Sequence, residues 1–118
     1  MHGRTVLIVD DEPSIRLLCR VNLELEGYRV LEASGLGEAR AVLREDVVDM
    51  LLVDLHLDDG DGRELVAELR VGERAVPVAL LTGSVDLTPE DRIGVDAVLE
   101  KPFRLEQLLD TVRKLQSE

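Results

Sequence analysis

Apolar residues in this chain gather in short unbroken runs that stop at charged or hydroxyl-bearing positions. Met50-Leu51-Leu52-Val53 runs into Asp54, with Asp49 before it and Asp58-Asp59-Gly60-Asp61-Gly62 beyond. Four large apolar residues in succession predict a strand buried on both faces, the kind found in the middle of a parallel sheet. Thr5-Val6-Leu7-Ile8-Val9 is a second such run, stopping at Asp10-Asp11; Val78-Ala79-Leu80-Leu81, introduced by Pro77, stops at Thr82; Ala97-Val98-Leu99-Glu100 stops at Lys101. Tyr28-Arg29-Val30-Leu31-Glu32-Ala33 mixes polar and apolar positions and reads as an edge strand.

Between these runs the apolar period changes to that of a helix. Pro13 opens a helix with Ile15, Leu18, Cys19 and Leu23 on one face, and Gly27 caps its C-terminal end. Further helices are predicted from about Leu36 to Arg44, from about Arg63 to Val71 burying Leu65, Val66 and Leu69, and at the end of the chain burying Leu105, Leu108, Leu109 and Val112. Arg113 and Lys114 complement the dipole of that last helix. Thr88-Pro89-Glu90 is an N-cap, first position and acidic first turn, but Gly94 follows so soon that the fourth helix is short or irregular. Asp58 to Gly62 is too polar and glycine-rich for regular structure and reads as a loop.

Strands alternating with helices predict right-handed crossovers and a doubly wound α/β fold. The expected unit is one domain over residues 1–118, with a five-stranded parallel sheet in the order 2-1-3-4-5. Composition narrows the function. A formal net charge of -11 argues against direct binding to nucleic acid or anionic lipid, since phosphate contacts need Lys or Arg, and it suits a metal cation or a basic partner. No window approaches a membrane span, and Met1-His2-Gly3-Arg4 leaves no room for a signal peptide, so a cytoplasmic location is expected. The single Cys19 reads as a small core residue.

In a parallel sheet all strands end on one side, so Asp10-Asp11, Asp54, Thr82 and Lys101 converge on one edge. In the order 2-1-3-4-5 the switch point, where ligands bind, falls between the first and third strands. Three carboxylates there repel one another by about 3 kcal/mol per pair, for ~5 Å and an effective dielectric near ~20. Lys101 offsets one charge; a hard divalent cation, Mg²⁺ above all, would offset the rest, and at least one of the three carboxyls is expected to have a raised pKa without it. This set supports phosphoryl transfer to a carboxylate: Asp54 as nucleophile, Mg²⁺ on Asp10 or Asp11, Lys101 against the phosphoryl oxygens, Thr82 hydrogen-bonding one of them, and Gly83 leaving space.

Leu7-Ile8-Val9-Asp10-Asp11-Glu12-Pro13, Leu52-Val53-Asp54-Leu55-His56-Leu57 with Gly60 and Gly62, Leu81-Thr82-Gly83 and Leu99-Glu100-Lys101-Pro102-Phe103 resemble the receiver domain of two-component response regulators. The resemblance implies a flavodoxin-like fold and a phosphoryl group taken onto Asp54 from a sensor histidine kinase or a histidine phosphotransfer protein. It implies Mg²⁺ on Asp10, Asp11 and Asp54 with the backbone carbonyl of His56, a cis bond before Pro102, and tuning of the phosphoryl lifetime at His56 and Ser84.

The chain departs from that family in three ways. Val98 stands where receivers usually carry an aromatic residue, and a β-branched aliphatic has no comparable swing. The interval from Thr82 to Lys101 is short for the family, and Asp58 replaces a common proline. An atypical output face is therefore expected, with the Thr82 to Gly94 segment ordering on phosphorylation. Two other readings compete: a Mg²⁺-dependent phosphohydrolase, against which stand His56 at the usual acid-base position and the lack of a cap, and a docking module that works without phosphorylation. The output partner is left open by the sequence.

Overall fold

A computed structural model describes the backbone of residues 4–72, 75–83, 87–92 and 94–117. The lead-in Met1-His2-Gly3 and the lifetime-tuning candidate Ser84 lie outside the described residues. Five strands form the main sheet: β1 (Thr5–Val9), β2 (Arg29–Ala33), β3 (Met50–Asp54), β6 (Val78–Thr82) and β7 (Ala97–Glu100), with a two-stranded ribbon β4 (His56–Leu57) and β5 (Gly60–Asp61) between β3 and β6. All main-sheet pairs are parallel, in the order β2-β1-β3-β6-β7, which is the expected 2-1-3-4-5 of the long strands.

Strand side chains alternate between two cores, as a two-residue period requires. Leu7, Val9, Leu51, Val53, Val78 and Leu80 pack against helices α2 (Leu36–Glu45) and α3 (Gly62–Arg70) on one face. Val6, Ile8, Met50, Leu52, Ala79 and Leu81 meet α1 (Pro13–Leu25) and α4 (Leu105–Gln116) on the other. The central strands are thus buried on both sides, which is why they read as unbroken apolar runs. Asp49 is built in as well: its Oδ2 accepts from the Thr5 backbone N–H at 2.7 Å and ties the entry of β3 to that of β1.

Three expectations need correcting. The polar stretch after Asp54 is not a plain loop: His56 pairs with Asp61 and Leu57 with Gly60 in an antiparallel ribbon. Leu57 is nearly buried in the α2/α3 core, and burying its backbone demands hydrogen-bond partners that the ribbon supplies. In α1 the stripe centres on Cys19, with Ile15 and Leu23 about 40° to either side at 100° per residue. Leu18 falls about 100° off that centre and is 37% exposed. In α4 the buried residues are Leu108, Val112 and Leu115, a stripe displaced toward the C-terminus; Leu105 lies about 50° off its centre and is 42% exposed. The weak fourth helix is, among the described residues, a single 3-10 turn over Pro89–Arg92. No helix of the described residues is long and apolar enough to cross a membrane.

Candidate functional site

Each site residue is delivered by the end of a strand. Asp10 follows β1 and is fully buried. Its backbone N–H continues the ladder to the Ala33 carbonyl at 3.1 Å, its Oδ1 accepts from the Glu12 N–H at 2.9 Å, and its carbonyl accepts from Arg16 Nη1 at 2.7 Å. Asp54, the last residue of β3, is also buried; its Oδ1 accepts a long 3.4 Å bond from the His56 N–H. Helix α3 begins so close to it that a Cβ at Gly62 would lie 2.2 Å from the Asp54 carbonyl oxygen. Only glycine fits there.

Lys101 joins the strand ends. Its N–H donates to the Thr82 carbonyl at 2.7 Å, the peptide bond to Pro102 is cis, and its Nζ lies 2.7 Å from Asp10 Oδ2 and 3.5 Å from both Asp54 Oδ2 and Glu12 Oε1. The contact with Asp10 Oδ2 is ionic rather than directional, for that buried oxygen has no well-aligned hydrogen bond. Burial works to lower the Lys101 pKa, but the contact and charge of Asp10, with Asp54 and Glu12, outweigh it and hold the ammonium above its usual range. Burial pushes the Asp54 carboxyl up; Lys101 opposes this, while Asp10 and, last, Asp11 add to the rise. At least one of the three carboxyls, that of Asp54, is thus raised, as expected.

Carboxylate oxygens of Asp10, Asp11 and Glu12 lie within 4.8 Å of one another, a set of hard donors suited to a hard cation. The buried Asp10 Oδ2, held by charge without an aligned donor, keeps acceptor capacity for such an ion. Glu12 belongs to the sequence motif without a role of its own there, and its position directly after Asp10-Asp11 and before Pro13 is the available signal. Asp58, in sequence only a departure from the family, also joins the edge: its carboxyl, at the exposed rim, is raised by the charge of Asp11 and by a hydrogen bond with it. The other acidic residues of that stretch face elsewhere: Asp61 caps α3, accepting from the Arg63 N–H at 2.8 Å, and Asp59 binds α2.

Thr82 is fully buried at the end of β6, and among the described residues a Cβ on Gly83 would meet no atom within 4 Å beyond its chain neighbours. The His56 side chain is exposed at the rim. Val98 pairs with Leu80 in the β6–β7 register and packs, half-buried, against the α2/α3 core. It also lines a groove of about 520 Å³ with Val95, Glu100, Thr111 and Lys114. Cys19 is buried, and burial, with the nearby Asp10 charge, pushes its thiol up to about 12. That suits a core residue and not a nucleophile.

Residues 6–113 match the family model described as the response regulator receiver domain. The chain is 37% identical over 117 residues to the phosphate regulon transcriptional regulatory protein PhoB of Pseudomonas aeruginosa, covering 92% of this chain and 50% of that protein. It is 28% identical to the sporulation initiation phosphotransferase F of Bacillus subtilis, covering 97% of this chain and 94% of that one. Among solved structures, the response regulator TrrA of Thermotoga maritima, in complex with Mg²⁺ and BeF, superposes with a TM-score of 0.86 at 28% identity, covering 95% of this chain and 98% of that one. The chain spans 50% or less of the length of the first curated relatives it matches. By sequence, by fold and by the order of its strand-end residues, the chain belongs to the response regulator receiver domain family, the phosphoacceptor module of two-component systems.

Proposed function

We propose that this chain takes a phosphoryl group onto Asp54 from a phosphohistidine of a sensor kinase or phosphotransfer protein and relays the change through an atypical output face. The observation that carries the reading is Lys101 Nζ between Asp10 and Asp54, at 2.7 and 3.5 Å, at the edge where the central strands end. An Asp54 carboxylate oxygen forms a bond to phosphorus as the phosphorus–nitrogen bond of the donor breaks, and the electron pair returns to the imidazole. Lys101 faces the transferred oxygens from the Asp10 side, and the Thr82 hydroxyl offers one of them a hydrogen bond. Mg²⁺ held by Asp10, Asp11 and Asp54, with the His56 carbonyl and Glu12 at hand, would supply positive charge that offsets the acidic edge and the incoming phosphoryl. His56, at the rim, and Ser84 are assigned the tuning of phosphoryl lifetime.

The output proposal rests on Val98. A half-buried valine packed on the core offers no ring to rotate, and the groove beside it is wider than a single side chain needs. The partner that reads the switch is expected on a surface other than an aromatic rotamer. Melting experiments test the acceptor reading: Mg²⁺ with beryllium fluoride, a phosphoryl mimic, is expected to raise Tm of the native chain by several degrees and to leave Asp54→Asn at its Mg²⁺-only value. Equal shifts in both would remove Asp54 from the site.

A further inference from the structure

The ribbon that follows Asp54 is fastened to a helix remote in sequence. The two carboxylate oxygens of Asp59 accept from the backbone N–H groups of Leu36 and Gly37, at 2.9 and 3.1 Å. These are two of the N–H groups that a helix start leaves without partners, and α2 has no side-chain cap of its own because its N-cap residue is Gly35. The cap is supplied instead from 23 residues further along the chain.

Two glycines make that seat possible. A Cβ at Gly35 would lie 2.6 Å from Asp59 Oδ1, and one at Gly60, whose φ of 150° already favours glycine, would lie 2.7 Å from Leu36 Cδ1. Leu57 in the ribbon and Leu36 at the start of α2 belong to the same core. At its other end the ribbon runs directly into α3, where Asp61 and Glu64 form a capping box. Helices α2 and α3 are in turn clamped by Arg40, with Nη2 2.6 Å from Glu68 Oε2 and 3.8 Å from Glu64 Oε1. The segment from Asp54 to α3, which carries His56, is therefore fixed at both ends and cannot shift without α2.

We propose that Asp59 is a positioning residue for the phosphoacceptor site: by anchoring the ribbon to the first turn of α2 it holds the His56 backbone where the cation site needs it, and it makes α2 move with that site. This rests on the reading of Asp54 and its metal given above. Loss of the anchor is expected to weaken Mg²⁺ binding about tenfold, as loss of groups that orient metal ligands commonly does.

The test is a Mg²⁺ titration of the full chain followed by backbone amide NMR, with Tm measured alongside, for the native chain, Asp59→Ala, Asp59→Asn, Gly35→Ala and the double variant Asp59→Ala/Gly35→Ala. Asp59→Ala and Gly35→Ala are expected to weaken Mg²⁺ binding alike, and the double variant no more than either, because both remove one contact. Asp59→Asn, which keeps one acceptor oxygen, is expected to fall between. On adding Mg²⁺, the Leu36 and Gly37 amides should shift in the native chain and not in Asp59→Ala. If Asp59→Ala lowers Tm but leaves Mg²⁺ affinity unchanged, Asp59 is a helix cap only and the inference is overturned. A native chain that binds no Mg²⁺ overturns the site reading itself, and the inference with it.

Discussion

Strands β3 and β6 bring the chain to the same edge of the sheet, side by side, yet the segments leaving them are built differently. After β3 the chain is tied at several points: Leu55 N–H to the Leu81 carbonyl, Gly62 N–H to the Leu55 carbonyl, and the Asp59 carboxylate on α2. Among the described residues after β6, a Cβ on Gly83 would meet no atom within 4 Å beyond its chain neighbours, one 3-10 turn spans Pro89–Arg92, and the Gly94 carbonyl accepts from Arg70 Nε at 2.8 Å. The two glycines at these exits embody the difference. Gly62 sits where a methyl would strike a backbone oxygen at 2.2 Å; a methyl at Gly83 would meet nothing within 4 Å among the described residues beyond its chain neighbours. The side that holds Asp54 is close-packed and tied, while on the side proposed to carry the signal away the described residues leave Gly83 uncrowded.

The largest expected effect breaks the bridge between the two sides. Lys101→Met leaves the fully buried Asp10 without its counter-charge and is expected to cost about 4 kcal/mol in metal-free buffer at neutral pH, part of it restored by Mg²⁺; urea unfolding with and without metal measures both. The matched pair of glycine substitutions comes next. Gly62→Ala is expected to destabilise by about 3 kcal/mol, Gly83→Ala by less than about 0.5 kcal/mol. Similar losses from both would erase the contrast.

Asp54→Asn is expected to stabilise the metal-free protein, by on the order of 1 kcal/mol at neutral pH, because relief of the carboxylate's burial and of its repulsion by Asp10 outweighs the lost attraction to Lys101. The folded chain holds the Asp54 proton to higher pH than the unfolded chain does, because burial raises the carboxyl. Native stability therefore falls as pH rises from the usual carboxylate range through that raised value, and the gain from Asn disappears below it. Unfolding curves across that window check the sign. Val98→Tyr is also a small change: the groove beside it has room for a ring, so stability is expected to stay within about 1 kcal/mol of the native chain. A much larger loss would mean that the β6 side is as closely packed as the β3 side.

Strand ends are legible in the sequence because burial on both faces writes an unbroken apolar run, and a parallel sheet then gathers the residues that stop each run. Asp10, Asp11, Asp54, Thr82 and Lys101 need nothing more than that geometry. Asp59 is not legible as a cap, since its partner is the start of a helix 23 residues earlier and a polar, glycine-rich stretch looks the same whether tethered or free. The ribbon escapes notice for the same reason, having only two residues on each side to declare an alternation. Leu18 and Leu105 read as core because leucine at roughly helical spacing does not reveal which edge of the stripe turns outward. Glu12 is visible but ambiguous, as an acidic residue before Pro13 also suits a helix start.

The central claim, that Asp54 accepts a phosphoryl group, is tested most directly by intact-mass spectrometry after incubation with acetyl phosphate, with and without Mg²⁺, for the native chain and Asp54→Asn. A single phosphoryl adduct that needs Mg²⁺ and is lost in the variant is the expected result. An adduct that persists in Asp54→Asn, or none in a folded native chain shown to bind Mg²⁺, would contradict it.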